Sequence, residues 1–245
     1  MGATLLGGRV VHAQRADGHR TGIEPVLLAA SIPAAPGARV LEGGCGSGAG
    51  LLCLAARVGG IGGVGVERDP ALAALAAANI AANGFAMLAV LNAEIEQARP
   101  AGAFDHAFAN PPWHDPAGTR APDERQEAAR RREAGLLARW AERLARPLRH
   151  RGTLTFALAA PLLPEGLAAL AGAGCGSAAV LPLWPRAGIA AKLLLLRGVK
   201  GGRGPFRLLP GLVLHDRAQY GAASRYTAAA EAILRDAAPL PFDPL

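Results

Sequence analysis

Three groups of residues in this chain have types and spacings suited to chemistry. The first is Glu42-Gly43-Gly44-Cys45-Gly46-Ser47-Gly48, a glycine turn led by a carboxylate. Glycines here let the backbone turn sharply, let a ligand lie against it and let the next helix pack on the sheet. Dinucleotide sites use spaced glycines too, so Gly44, Gly46 and Gly48 alone leave the ligand open. Glu42 narrows the choice. At a strand end, ahead of the turn, it would repel a pyrophosphate and suits a cationic ligand carrying an amino-acid moiety. Glu67, 19 residues beyond Gly48, ends Val64-Gly65-Val66-Glu67 and can accept both hydroxyls of a ribose.

The second group is Asn110-Pro111-Pro112-Trp113, directly after Phe104-Asp105-His106-Ala107-Phe108-Ala109. A planar amine on a base or an amide is a poor nucleophile, because its lone pair is delocalised. The Asn110 side-chain oxygen and the Pro111 carbonyl can accept its two N–H bonds, aim the lone pair and hold the group as it pyramidalises. Proline keeps that carbonyl rigid by fixing φ. Trp113 offers a face for a planar substrate, a contact worth roughly 1–3 kcal/mol per base. His106 and His114 flank the motif, yet no general base is required: the proton can pass to water after alkylation. Both read as structural or solvated.

The third group is basic. Arg125, Arg130, Arg131 and Arg132 follow the Asn-Pro-Pro-Trp loop, and Lys200, Arg203 and Arg207 lie in a Gly-rich stretch. The planar guanidinium fork matches phosphate oxygens, so both clusters are candidate contacts to a nucleic-acid backbone.

These groups need a frame. Arg39–Glu42, Gly63–Glu67, Ala86–Leu91 and Asp105–Ala109 read as apolar strands, with helices over Leu51–Val58 and from Pro70 to about Asn83. Asp69 is the natural N-cap, Pro70 the first helical residue, and Gly84 the left-handed stop. Strands alternating with helices of this length specify a parallel sheet covered on both faces. Upstream, Thr4–Gln14 reads as a short strand or hairpin and Ile23–Ile32 as a helix. Downstream, Pro112–Pro122 reads as a loop and Asp123–His150 as a long charged helical region. Gly152–Ala160 follows as a strand and Pro164–Ala171 as a helix. Ala178–Trp184 and Ala190–Arg197 read as two final strands, Pro205–His215 as irregular to extended, and Tyr226–Arg235 as a closing helix. The expected architecture is one α/β domain over 1–245. It has an extension at 1–37, a cofactor half at 38–118 and a basic substrate-facing half at 119–245.

Composition agrees. Of 245 residues 51% are hydrophobic and 18% charged, which excludes disorder. Cys45, Cys53 and Cys175 are odd in number and lack C-x-x-C spacing, so neither a disulfide framework nor a metal site is expected. Gly7, Gly8 and Arg9 interrupt any leader, and the longest uncharged run, 70–93, contains three asparagines and a glycine. No membrane association and a cytoplasmic location are expected. The net charge of +7 rests on 24 Arg and two Lys. Codon bias would spread arginine evenly. Instead residues 1–118 hold seven arginines against nine acids, and residues 119–245 hold 19 basic residues against ten acids. The basic half is the half downstream of the amine-accepting loop.

Acid-x-Gly-x-Gly-x-Gly with an acid at the next strand end resembles class I S-adenosylmethionine-dependent methyltransferases, and Asn-Pro-Pro-aromatic is the loop of those that act on amino groups. The chain is similar in particular to the bacterial tRNA adenine-N(6) methyltransferases that modify an adenosine beside the anticodon of a valine tRNA. Arg20-Thr21-Gly22-Ile23-Glu24-Pro25-Val26-Leu27-Leu28-Ala29, Leu181–Gly188 with Lys192, Leu212–His215 and Tyr226–Glu231 carry that likeness outside the motifs. The resemblance implies a Rossmann-like, mostly parallel seven-stranded sheet with an antiparallel strand near its C-terminal edge. It implies S-adenosylmethionine held by Glu42, Gly44, Gly46, Gly48, Glu67 and, at the adenine edge, Glu94. It implies an RNA substrate, tRNA above all, and action as a monomer. Three residues depart from the pattern: Glu42 where Asp is usual, Trp113 where Tyr is commoner, and Glu94 in Leu91-Asn92-Ala93-Glu94. Rival readings are glutamine methylation in a protein, which normally brings a separate helical domain where here 41 residues precede Glu42, and amino-methylation of rRNA or DNA. A non-catalytic RNA-binding module is the rival from outside the enzymes.

Overall fold

The alternation of apolar strands with Ala- and Leu-rich helices resolves into a doubly covered sheet. A computed structural model describes residues 3–15, 21–112, 135–216, 226–240 and 242. Strands β1 (Ala3–Leu5) and β2 (Val10–His12) form a separate antiparallel hairpin, followed by α1 (Glu24–Ser31). The core then runs β3 (Arg39–Gly43), α2 (Ala49–Val58), β4 (Gly62–Glu67), α3 (Pro70–Ala82), β5 (Leu88–Asn92) and β6 (Phe104–Ala109). After it come α4 (Leu136–Ala145), β7 (Leu148–Ala159), α5 (Leu163–Gly172), β8 (Cys175–Trp184) and β9 (Leu193–Lys200). Two-residue strands β10 (Arg207–Leu208) and β11 (Leu212–Val213) and helix α6 (Ala228–Asp236) complete the described elements.

The seven long strands lie in the order β5-β4-β3-β6-β7-β9-β8, and β10 and β11 both pair with β8. Every pair is parallel except those of β9, which runs antiparallel to both β7 and β8. This is the expected sheet, extended at its edge by two short strands. One face buries Leu27, Leu28, Leu51, Leu54 and Phe108 under α1 and α2; the other buries Leu41, Phe156, Leu144 and Leu170 under α4 and α5.

The local signals at α3 hold in detail. Asp69 accepts hydrogen bonds from the Ala71 N–H at 2.8 Å and the Leu72 N–H at 3.3 Å, and Gly84 takes φ +70°. Several boundaries move by two or three residues, among them the start of β8 at Cys175 rather than Ala178, and three shifts have a visible cause. Leu148–His150 belongs to β7 rather than to the preceding helix, because buried Leu148 pairs with Phe104 before a bulge that the polar run Arg149-His150-Arg151 hides. β9 begins at Leu193, later than Ala190, since a turn closed by the Ile189 N–H on the Arg186 carbonyl at 3.1 Å comes first. The last helix begins at Ala228, capped by Thr227, while Tyr226 bridges to His215 and stacks on its ring at 4.8 Å. The part of the expected helical region before Gly135 lies outside the described residues, as do Trp113, His114, Arg125, Arg130, Arg131 and Arg132.

Candidate active site

Ligands of open parallel sheets bind beyond the carboxyl ends of the strands, where neighbouring crossovers part. β3 lies between β4 and β6, and Gly43 of β3 is paired in register with Ala109 of β6. The glycine turn and the Asn110-Pro111-Pro112 segment therefore leave the sheet side by side. Asn110 is half-buried, Pro111 buried and Pro112 exposed.

In the turn, Gly44, Gly46 and Gly48 all take left-handed backbone, with φ of +64°, +54° and +89°. Gly44 is doubly constrained, because a Cβ there would meet the Trp140 ring at 2.8 Å. Trp140, on the buried stripe of α4, is the floor of the turn. Gly46 faces open space: a Cβ at that position would find no neighbouring atom within 4 Å. That is the side on which a ligand can lie.

The two acids are buried, Glu42 at 4% exposure and Glu67 at 8%. Glu42 accepts the Leu51 N–H at 2.9 Å, one of the free donors in the first turn of α2. Gly50 makes room for it, since a Cβ there would collide with the Glu42 carboxylate. Burial pushes the Glu42 carboxyl up to about 8, opposed by the Leu51 hydrogen bond and reinforced by the nearby Glu67 charge. Glu67 accepts the Gly46 N–H through one oxygen and the Asp69 N–H through the other, both at 2.9 Å. Each oxygen keeps a lone pair for a ligand hydroxyl. Asn92, at the end of β5, donates to the Glu67 and Arg68 carbonyls at 2.8 and 3.0 Å, tying that strand end to its neighbour. Glu94 is exposed on the following turn.

His106 lies within β6, with Nδ1 2.9 Å from the Thr153 hydroxyl. Burial, with the Arg197 charge behind it, lowers its pKa to about 4, so the ring is neutral at physiological pH. Lys200, Arg203 and Arg207 are not gathered at the carboxyl end of the parallel strands. β9 runs against its neighbours, so Lys200 at its end lies beside Cys175, where β8 begins, and Arg207 pairs with Ala179 further along the outer edge. Lys200, with Arg203 on the turn that follows it, thus lies toward the end of the sheet opposite Asn110.

A further set of residues supports the turn and was not singled out by the motifs. Asn79 and Asn83 stand one helical turn apart on α3. Asn79 accepts the Ala13 N–H at 2.9 Å and donates to the Ala13 and Ser47 carbonyls at 3.0 Å. Asn83 accepts the Val11 N–H at 2.9 Å and donates to the Val11 carbonyl at 2.7 Å. A rise of about 6 Å over four helical residues matches about 6.6 Å over two strand residues, so two amides replace a neighbouring strand for β2. His12, fully buried, places Nε2 2.9 Å from the Ser47 hydroxyl, and its Nδ1 has no partner among the described residues. The signal in the sequence was a pair of asparagines at i, i+4 in an otherwise apolar helix. Asn79→Ala leaves three half-buried backbone groups without their partner and is expected to lower unfolding stability by about 1–3 kcal/mol. A urea titration checks this; a loss below about 1 kcal/mol would mean the hairpin is held by other contacts.

Among the described residues no group of three or more His, Cys, Asp or Glu side chains is placed to hold a metal ion, and no helix is long and apolar enough to cross a membrane. Residues 23–129 match the family model of the methyltransferase small domain. The fold is also that of a crystal structure of a predicted O-methyltransferase from Agrobacterium tumefaciens, with a TM-score of 0.71 at 20% identity over 89% of this chain and 98% of that one. A SAM-dependent O-methyltransferase from Thermotoga maritima superposes with a TM-score of 0.55 at 16% identity, covering 76% of this chain and 68% of that one. A geranyl diphosphate C-methyltransferase from Streptomyces coelicolor A3(2) gives 0.53 at 13% identity, covering 72% and 75%. No curated protein sequence matches the chain.

Proposed function

From the premise that residues 23–129 match a methyltransferase small domain within a Rossmann-like methyltransferase fold, we propose that the protein methylates the exocyclic amino group of a base in RNA, N6 of adenine in tRNA, acting as a cytoplasmic monomer. S-adenosylmethionine is the cofactor. One similar fold, the Streptomyces C-methyltransferase, holds S-adenosylhomocysteine. The residues present fit it: an open face at Gly46, a buried acid with free lone pairs for the ribose hydroxyls, and a second buried acid for the amino-acid cation.

S-adenosylmethionine supplies an electrophilic methyl carbon on a sulfonium sulfur. Glu67 orients the adenosine from the end of β4, Glu42 faces the cationic end from β3, and Glu94 is assigned to the adenine edge. Asn110 and Pro111 accept the two N–H bonds of the target amine, which frees its lone pair to attack. With the cofactor bound, its methyl group would pass from sulfur to the nitrogen held by Asn110 and Pro111, and the extra proton on nitrogen would leave to water. Trp113 is assigned the stacking face for the base. Arg125, Arg130, Arg131 and Arg132 are assigned to phosphates near it.

The observation that carries this reading is the register of Gly43 with Ala109, which brings the cofactor turn and the amine-accepting segment to adjoining strand ends. The test is methyl transfer from labelled S-adenosylmethionine to tRNA isolated from cells lacking this gene, followed by nucleoside mass spectrometry. N6-methyladenosine is the expected product. A methylated glutamine in added protein, with unlabelled RNA, would replace the RNA reading by the protein one. Absence of any binding heat with S-adenosylmethionine would remove the enzyme reading altogether.

A further inference from the structure

At the far end of the sheet from Asn110, two irregular strands build a cationic cleft. β7 carries a bulge: between Phe104/Leu148 and His106/Thr153 it advances five residues while β6 advances two. The three extra residues push Arg149, His150 and Arg151 out of the ladder, and all three are exposed. β8 has its own irregularity between Gly176 and Ala179. Arg151 (φ +68°) and Ser177 (φ +50°), one in each irregularity, are two of four non-glycine residues with left-handed backbone among the described residues. Side chains avoid that conformation, and residues held in it gather at functional sites. Bulges likewise re-aim side chains.

The β9–β10 turn closes the cleft. Gly201 lies against the His150 ring, where a Cβ would come within 2.6 Å, and Gly202 lies against Gly176. The Gly204 N–H donates to the Ser177 hydroxyl at 2.7 Å, which holds the turn to β8. The result is a cleft of about 490 Å³ lined by His150, Arg151, Gly201, Gly202 and Arg203. Lys200 stands beside it. The acid on the adjoining strand, Asp105, is engaged by the Arg39 N–H at 2.8 Å and by Arg149 at 2.5 Å. The lining itself contains no carboxylate. Phe206, exposed at 53%, follows three residues after Arg203 and offers an aromatic face on the same turn.

We infer that this cleft binds the phosphodiester backbone of the RNA substrate at a point remote from the reacting base. The inference rests on the RNA reading above and adds a second anchoring point to it. Arg151 lies five residues before Phe156, which pairs with Ala109 next to Asn110. That separation is roughly 17 Å along the strand. The cleft therefore engages RNA beyond the target loop. A short stem–loop presents the base without reaching it, whereas a full-length tRNA does both.

Arg151→Gly is the discriminating variant, because glycine accepts φ +68° and removes only the charge and its strain. Together with Arg203→Ala it is expected to weaken binding of a full-length tRNA transcript about tenfold in 0.1 M salt, and to reduce the slope of log K against log salt by about 1 per arginine. The melting temperature of Arg151→Gly should stay level or rise, and the affinity for S-adenosylmethionine should not change. KM should rise for full-length tRNA and stay unchanged for the short stem–loop. Unchanged tRNA affinity in the double variant, with the wild type binding normally, would overturn the cleft and leave the RNA reading standing. Failure of the wild type to bind or methylate any RNA would overturn both. Arginine-dependent binding to phosphatidylglycerol vesicles without RNA binding would assign the surface to a membrane and overturn the inference too. Should Arg151→Gly lower the melting temperature, Arg203→Ala alone decides by the same slope and KM measurements.

Discussion

Asn110→Ala is expected to reduce kcat for methyl transfer about 10³-fold while the affinity for S-adenosylmethionine stays within about twofold of wild type. In the proposed reaction the side-chain oxygen already holds an N–H of the amine before attack, and that hydrogen bond strengthens as nitrogen gains positive character. Removing it takes away an interaction that strengthens toward the transition state, and a single preorganised partner of that kind is worth about 10²–10³ in rate. The cofactor turn, by contrast, starts from a different strand and does not use Asn110 for its own geometry. Single-turnover transfer to tRNA and calorimetric titration of cofactor separate the two effects. Asn110→Asp keeps an acceptor at the same place and should recover part of the rate. If the alanine variant lost cofactor affinity as heavily as turnover, the division of labour between β3 and β6 would be wrong.

Cofactor binding is expected to release close to one proton at pH 7, and to weaken up to tenfold per pH unit as the pH falls below about 8. Glu42 is the source. In the free protein burial raises its pKa to about 8, so at pH 7 the carboxyl is mostly protonated. A cation brought against it favours the ionised form, and the proton must leave. Calorimetry at pH 7 in phosphate and in Tris should give enthalpies that differ by about the difference between the two buffers' ionisation enthalpies. Equal enthalpies would mean that Glu42 does not face the cation.

The same group sets a pH dependence of stability. Its folded pKa lies above the ordinary 4.5, so from about pH 4.5 upward the unfolded chain loses the proton first. Stability contributed by the protonated group is full below that range and is lost progressively until about pH 8. Glu42→Gln keeps an acceptor for the Leu51 N–H and has nothing to titrate. It should flatten this decline and gain a few kcal/mol over wild type at pH 8, while cofactor affinity falls and its proton linkage disappears. A wild-type curve as flat as that of the variant would place the carboxyl in solvent rather than in the core.

Much of the site was legible because its causes are local. The spacing of Gly44, Gly46 and Gly48 reflects left-handed backbone at each position, and Asp69-Pro70 capped α3 as their side chains dictate. Strand-end acids were legible for the same reason, since a short apolar run shows where a strand stops. Other features had no local sign. Gly50 lies past the glycine turn, and nothing beside it in sequence shows that it is the space into which Glu42 folds back to reach Leu51. Trp140 lies nearly a hundred residues beyond the turn, and only packing sets its ring against Gly44. Asn79 pairs with Ala13 and Asn83 with Val11, 66 and 72 residues away.

What the residues alone determined about this protein is the alternating α/β order, the glycine turn with its two acids, and the Asn110-Pro111-Pro112 segment after the fourth core strand. Each follows from backbone freedom, capping or periodicity within a few neighbouring residues. The tertiary structure decided which of these meet and which do not. Parallel pairing of β3 with β6 brings Glu42 and Asn110 to one end, whereas the reversal of β9 carries Lys200 to the other, beside Arg151. Strand direction is a property of non-local pairing. A run of apolar residues reads the same in either sense, and so the arginine excess could be counted in the sequence but not aimed.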